Sequence, residues 1–564
     1  MLENRQNSKL MLIMEQITAA LKKKKFSGDI DGSPETRDFY SHDASLFEIM
    51  PQLILFPKDS NDVQIIISVV NEFKKDIPSI SVTARSAGTD MSGGAINDSI
   101  IIDFNKYFSH IEDITSDSAR TQPGVFYRDF EKKTLQKGAL LPSFPASREL
   151  CTVGGMVNNN SGGELSLRYG KTENYVAELN VILSDGKPYK IRPLSREELK
   201  HKKSLQTFEG ELYRKMYALI DANYDKIKAA KPHVTKNSTG YNLWDVWDRE
   251  TGVFDLTKLF VGAQGTLGFV TDIKFRLVRQ DPYSGVLVAF MKNIDPLGQL
   301  INSVLAHKPT SFESFDNYTL WFSIKFMPYF RKTIGWGGLI KLAFSLIPDG
   351  LILLRGIPKM ILLIEFTGQT QQEVDEKILS MQADLKKNYK IEATEDDDTP
   401  KKAWKFRIMR RESFNILRKK VKDKHTAPFI DDLVVPPPHL VEFLPKLRKI
   451  INKYHLVATV AGHVGDGNFH VIPLMKIEEM SERAKIEPVM KEVNELVLHY
   501  GGSLSGEHND GLVRGPWLSE MYGEHIVDIF RKTKIIFDPH EIFNPHKKAN
   551  ASWKYSMDHV REHF

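Results

Sequence analysis

Three glycine-rich stretches fall within one α/β region, and they constrain the fold more than any other feature. They are Ala84-Arg-Ser-Ala-Gly-Thr-Asp-Met-Ser-Gly-Gly94, Thr152-Val-Gly-Gly-Met-Val-Asn-Asn-Asn-Ser-Gly-Gly163 and Val261-Gly-Ala-Gln-Gly-Thr-Leu-Gly268. Any one of them reads as a tight turn. Glycine loses the most conformational freedom on folding, so a cluster of such loops signals backbone drawn up against a ligand. Around them, apolar runs at Leu53–Phe56, Ile100–Asp103 and 179–183 predict strands, alternating with helical patterns such as 61–74. In the first stretch, small residues allow backbone N–H groups to converge into a nest for anionic oxygens, with Thr89 and Ser92 adding hydroxyls. No Gly-Lys-Ser/Thr follows and no G-x-G-x-x-G is present, so neither a P-loop nor a Rossmann site is indicated.

Composition removes several classes. The chain has 564 residues, more than the roughly 100–200 of a single domain. Its net charge of +5, from 77 basic and 72 acidic residues, is too weak to argue for nucleic acid. A single cysteine, Cys151, rules out a disulfide framework or a cysteine-ligated cluster within this chain. No run reaches the ~18 apolar residues of a membrane span. The N-terminus carries Glu3 where a signal peptide needs basic residues. The expectation is a cytoplasmic protein or one held peripherally on the inner face of a membrane. Texture divides the chain into a helical arm (1–52), a cofactor domain (53–280), a cap (281–455) and a C-terminal segment (456–564) that closes onto the cofactor domain.

The C-terminal segment carries the metal-type residues. In Gly462-His-Val-Gly-Asp-Gly-Asn-Phe-His470 the two histidines are seven positions apart. That is about 10 Å along a helix and twice that along a strand, too far for one metal with bonds near ~2.1 Å. Only a reversal brings them together, and Gly465-Asp-Gly467 is the turn signal for it. Ser505-Gly-Glu-His-Asn-Asp-Gly511 offers a third ligand, and its Asn509 is a small polar residue able to adopt positive φ. Two imidazoles and a carboxylate with open positions suit zinc, manganese or iron.

In order along the chain, the loops are joined by Gln122-Pro-Gly-Val125, Pro145, Arg168-Tyr-Gly170, Ser184-Asp-Gly186 and Gly240-Tyr-Asn242. This arrangement resembles the FAD-binding domain of the vanillyl-alcohol oxidase type, and over roughly 53–547 the FAD-linked D-2-hydroxy-acid dehydrogenases, the D-lactate, glycolate and D-2-hydroxyglutarate group. The resemblance implies an α+β protein with a two-part α/β FAD-binding domain and an α+β cap. It implies non-covalent FAD held by Arg85, Ser86, Ala87, Gly88, Thr89, Asp90, Ser92, Pro123, Pro145, Thr152, Gly154, Gly155, Asn158, Ser161, Gly162, Tyr169, Gln264, Gly265, Gly268 and Asn544. It also implies a divalent metal, zinc first, on His463, His470 and Glu507, with His508 as base and Arg407 of Trp404-x-x-Arg407 gripping the substrate carboxylate. Lys231 and Thr239 are secondary polar contacts on the same ground. Ser86 and Ala87 replace glycines usual in the first loop, Gln264 replaces a common glutamate, and Ile430 stands where hydroxyglutarate-specific relatives have lysine.

These expectations describe oxidation of a small D-2-hydroxy acid. With no NAD motif, the electrons need an outside acceptor, a quinone or another carrier. The insert at 318–359 mixes aromatic residues with six cations and one acid, a pattern suited to contact with a membrane surface. Two rivals fit parts of the pattern. One is a flavin oxidase or alkyl-transfer enzyme of the same fold without a catalytic metal; the other, without flavin, is a metal-dependent hydrolase or a non-catalytic membrane-binding protein whose glycine loops are structural.

Overall fold

A computed structural model describes residues 2–317, 335–337, 358–391, 393–396 and 424–562. The first layer is a four-stranded sheet in the order Asp29–Asp31, Leu53–Phe56, Ile100–Asp103, Val82–Arg85, parallel except for its first strand. Parallel strands are buried on both faces, which is why these segments read as unbroken apolar runs. The helix Ser60–Phe73 covers the sheet. Asp59 caps its N-terminus by accepting from the Asp62 N–H, and Val63, Ile66, Ile67 and Val70 form its buried stripe. The N-terminal helix Leu2–Lys23 packs Ile17 and Leu21 into the same core, so this part of the arm belongs to the layer, while Leu46, Phe47 and Ile49 pack into a separate core.

A second, five-stranded antiparallel sheet runs in the order Ile111–Glu112, Ser118–Thr121, Phe269–Arg276, Val176–Ile182, Pro188–Ile191. The helix Leu518–Phe537 buries Leu518, Ile526, Phe530 and Phe537 against its core, so the far C-terminal chain lies on this unit.

The third sheet has eight strands, all antiparallel, and its order starts Ala393–Asp396, Tyr283–Met291, Met360–Gly368, Ser311–Asp316, Val457–His463, Asn468–Met475. A boundary at 455/456 therefore does not separate two units: strands on both sides of it belong to one sheet. The cap strands and the two histidines share one sheet, because the histidines come from its hairpin Val457–His463/Asn468–Met475.

That hairpin turns through Val464–Asp466 and Gly467. Ala461 lies opposite His470 and His463 opposite Asn468, so both histidines project from one face. The adjoining strand pairs Ser314 with Gly462, which brings Glu313 alongside His463. Gly467 is fixed by both conformation and space: its φ is 67°, and an added Cβ would lie 1.9 Å from the Val435 carbonyl oxygen. Gly467→Ala is expected to cost about 3 kcal/mol or more through backbone strain and overpacking. A lowered urea midpoint at unchanged m-value would register it.

Candidate active site

The three glycine loops meet, and the first has the form of an anion nest. The N–H groups of Ser86, Ala87, Gly88 and Thr89 donate to no other described residue. A row of free donors on a partly exposed loop suits a ligand with only acceptor oxygens, such as a pyrophosphate. Arg85 lies beneath it, buried, with its guanidinium against the Tyr40 ring and 3.3 Å from the Tyr40 carbonyl. Asp90 and Ser92 hold the loop instead of a ligand. Asp90 accepts from Gly94 N–H at 2.6 Å and from the Ser92 hydroxyl at 2.9 Å. The single proton of Ser92 is thus committed, so the expectation of a free hydroxyl donor there is corrected.

The second loop opens the helix Val153–Asn159, capped by Thr152, with Gly154 donating to the Pro123 carbonyl. Gly155 faces Ser86, and Gly163 packs on Phe144 and Pro145. Asn158 accepts from Gln264 N–H at 2.9 Å and from Gly265 N–H at 3.1 Å. The Ser161 carbonyl receives the Thr172 N–H and hydroxyl, the half-buried Tyr169 receives the Tyr175 hydroxyl on its carbonyl, and Gly268 abuts the Ile182 carbonyl. These four contribute framework contacts.

Gln264 is the hub. Its amide donates to Ser92 Oγ at 2.9 Å and accepts from Gly511 N–H at 2.9 Å, while its carbonyl accepts from Asn544 Nδ2 at 2.7 Å. Asn544 also donates to the Gly94 carbonyl at 2.8 Å. One amide therefore ties the first and third loops to the Glu507–Gly511 loop. A carboxylate could not donate to Ser92, which explains glutamine at this position. Gln264→Glu is expected to loosen flavin retention measurably, read as a rise in free FAD on dilution.

The metal-type residues converge. One ligand atom each from His463, His470 and Glu507 lies within 4.8 Å of the others. His463 Nδ1 is 2.6 Å from Glu313 Oε1, and His470 Nδ1 is 3.1 Å from Asp431 Oδ1. Each carboxylate occupies one ring nitrogen and so turns the other, Nε2, toward Glu507. Glu507 Oε1 is 3.3 Å from His463 Nε2, and Oε2 is 4.0 Å from His470 Nε2. Burial would raise the Glu507 carboxyl, but Lys236 and His463 hold it well below the usual carboxylate range. Two neutral-capable imidazoles and an ionised carboxylate fit a divalent cation.

His508 stacks on His470 with ring centroids 5.0 Å apart, and its Nδ1 is 2.8 Å from Asp431 Oδ2. Burial pushes its imidazolium down, yet Asp431 and Asp432 outweigh this and raise it to about 9. Asp432 shapes the loop itself. Its carboxylate accepts from Glu507 N–H at 2.8 Å, His508 N–H at 2.7 Å and the Ser505 hydroxyl at 2.6 Å. Asn509 has φ 68°, the positive value expected from the sequence.

The cluster and the glycine loops share one frame. An added Cβ on Gly162 would lie 3.4 Å from Glu507 Oε1, and Asn159 Nδ2 donates to the Glu507 carbonyl at 2.8 Å. Lys231 is not part of this frame; it pairs with Asp245 at the surface. Thr239 bonds Asn237 and Tyr522. Arg407 lies outside the described residues, as does the insert apart from 335–337 and 358–359. No helix among the described residues is long and apolar enough to cross a membrane.

Sequence reasoning missed Glu313, Asp431, Asp432 and Lys236. Asp431-Asp432 inside the apolar run 429–436 carried a usable signal, because a buried acid must find a cation or several donors. Glu313 and Lys236 had no local signal.

Residues 51–192 match the family described as FAD binding domain, and 281–548 match FAD linked oxidases, C-terminal domain. A D-2-hydroxyglutarate dehydrogenase of Pseudomonas putida is 28% identical over 94% of this chain. The chain spans about half the length of that relative, 51%. The glycolate oxidase subunit GlcD of Bacillus subtilis is 26% identical over 92% of this chain and 93% of its own. A D-lactate dehydrogenase of Archaeoglobus fulgidus is 26% identical over 88% of this chain and 90% of its own. Among solved structures, 4-ethylphenol oxidase from Gulosibacter chungangensis superposes with a TM-score of 0.68 at 14% identity, covering 96% of this chain and 98% of its own. p-Cresol methylhydroxylase gives 0.65 at 14% identity over 95% and 96%. These two share the vanillyl-alcohol oxidase-type fold. The chain thus carries an FAD binding domain followed by the C-terminal domain of FAD linked oxidases.

Proposed function

We propose that the protein oxidises a small D-2-hydroxy acid to the 2-oxo acid and passes the electrons to a quinone or another carrier. One observation carries the reading. Two histidine Nε2 atoms and the Glu507 carboxylate converge beside His508, in the same hydrogen-bonded frame as the flavin loops. When bound, FAD would supply a two-electron acceptor at such a site, and a divalent cation would make a substrate hydroxyl beside it more acidic. His463, His470 and Glu507 would hold the cation. His508 Nε2, with Nδ1 turned to Asp431, takes the hydroxyl proton. A neutral imidazole is needed for that, and positive charge in the adjacent ligand set favours it against the pull of Asp431. Arg407 is the proposed carboxylate grip, and 318–359 the proposed membrane contact. Support for a short substrate comes from Ile430, which is fully buried in the cap core where a lysine would favour a second carboxylate.

Stopped-flow bleaching of the flavin against a panel of D- and L-2-hydroxy acids tests the reading, with and without chelator. Fast bleaching by D-lactate or D-glycerate, slowed by chelation, is expected. Bleaching indifferent to chelation would favour an oxidase-type site without metal; preference for D-2-hydroxyglutarate would move the substrate toward that of the P. putida relative.

The flavin is expected to be non-covalent. The first loop offers no His, Cys or Tyr, and Cys151 is buried with its thiol pushed up to about 12 by desolvation. Acid precipitation should leave all FAD in the supernatant; a yellow pellet would contradict this.

A further inference from the structure

Lys236 is the most unusual group near the site. It is 1% exposed, and its Nζ lies 2.6 Å from Glu507 Oε1 and 3.0 Å from Asp466 Oδ2. The other two members of the cluster have acidic partners: Glu313 behind His463 and Asp431 behind His470. An acid behind a histidine strengthens it as a ligand. A cation on a carboxylate does the reverse, because it occupies a lone pair and repels a second cation. Lys236 therefore weakens Oε1 as a metal ligand by charge repulsion while leaving it a second lone pair.

We propose that the Lys236 ammonium is a built-in counter-cation that takes the metal's place on Glu507, keeping the empty site folded and the metal exchangeable. A metal-free cluster would otherwise bury Glu507 and Asp466 as neighbouring carboxylates with only the adjacent imidazoles to offset them, a costly arrangement. With Lys236 present, each of the two acids has a charged partner before any metal arrives. Metal binding then exchanges one cation for another at Glu507 instead of filling a vacancy. The inference rests on the metal reading above, and its test separates the two.

The full-length, flavin-loaded protein is stripped with EDTA and titrated with Zn²⁺ and, separately, Mn²⁺ by calorimetry. Wild type is compared with Lys236→Met and with Lys236→Met/Asp466→Asn, which removes one charge of each sign and guards against misfolding of the single variant. Lys236→Met is expected to bind metal at least tenfold more tightly, to melt lower than wild type when stripped, and to gain more in Tm on metal addition. The double variant is expected to bind more tightly than wild type by a smaller factor, and it decides the matter if the single variant does not fold. Wild type binding metal while the folded variants bind equally or more weakly would overturn the inference and leave the metal reading standing. Metal binding by the variants but not by wild type would support the inference and remove the metal from the native reaction. Binding by none of them would overturn both.

Discussion

Gly88→Val yields a folded but colourless protein. Gly88 sits in the middle of the free N–H row with φ 66°, a conformation that valine strongly disfavours. An added Cβ would lie 2.4 Å from Arg85 Nη2, so the side chain is blocked below by the guanidinium and would crowd the face that presents the donors. Relief by moving Arg85 would break its contact with the Tyr40 carbonyl. The expected result is loss of essentially all bound FAD, measured as the ratio of flavin to protein absorbance. Stability should fall less than retention does, because the loop is partly exposed at the cofactor face. Retention of stoichiometric FAD by a folded Gly88→Val protein would place the pyrophosphate elsewhere.

The second large effect separates the metal from the base. Glu507→Gln removes the one anionic ligand and leaves Lys236 facing a neutral amide, so the stripped protein should remain yellow and take up no metal. Flavin reduction by the hydroxy acid should then fall by at least the loss seen without the base. His508→Gln leaves all three ligands and the Asp432 contacts to the backbone N–H groups in place. It should keep its metal and lose about 10²–10⁴-fold in the reduction rate, the usual contribution of a general base. Metal analysis alongside stopped-flow rates reads both. If His508→Gln also lost its metal, His508 would be a ligand, with Asp431 and His470 as its neighbours, and not the base.

Local signals made the scaffold of this site legible. Glycine and histidine spacing marked the loops and the hairpin, because a reversal at 465–467 was the only way to bring His463 to His470. Asn509 was readable for the same reason: a small polar side chain tolerates the left-handed backbone found there. What escaped was set by partners distant in sequence. Lys236 and Glu507 are 271 positions apart, and His463 and Glu313 are 150 apart. Ser92 was misread because its hydroxyl is claimed by Asp90 and Gln264, one of which lies in another loop. The cut at 455/456 failed because composition changes there while sheet pairing continues across it.

The Gln264 amide has a consequence for how the protein is loaded. It fastens the cradle loop through Ser92 and the base loop through Gly511, so whatever orders one side relieves part of the entropy cost of ordering the other. By thermodynamic reciprocity, flavin and metal must then raise each other's affinity by the same factor. The stripped, flavin-loaded protein should therefore release its FAD on dilution more readily than the metal-loaded protein. Metal content would track flavin content from batch to batch, and Gln264→Leu would uncouple them.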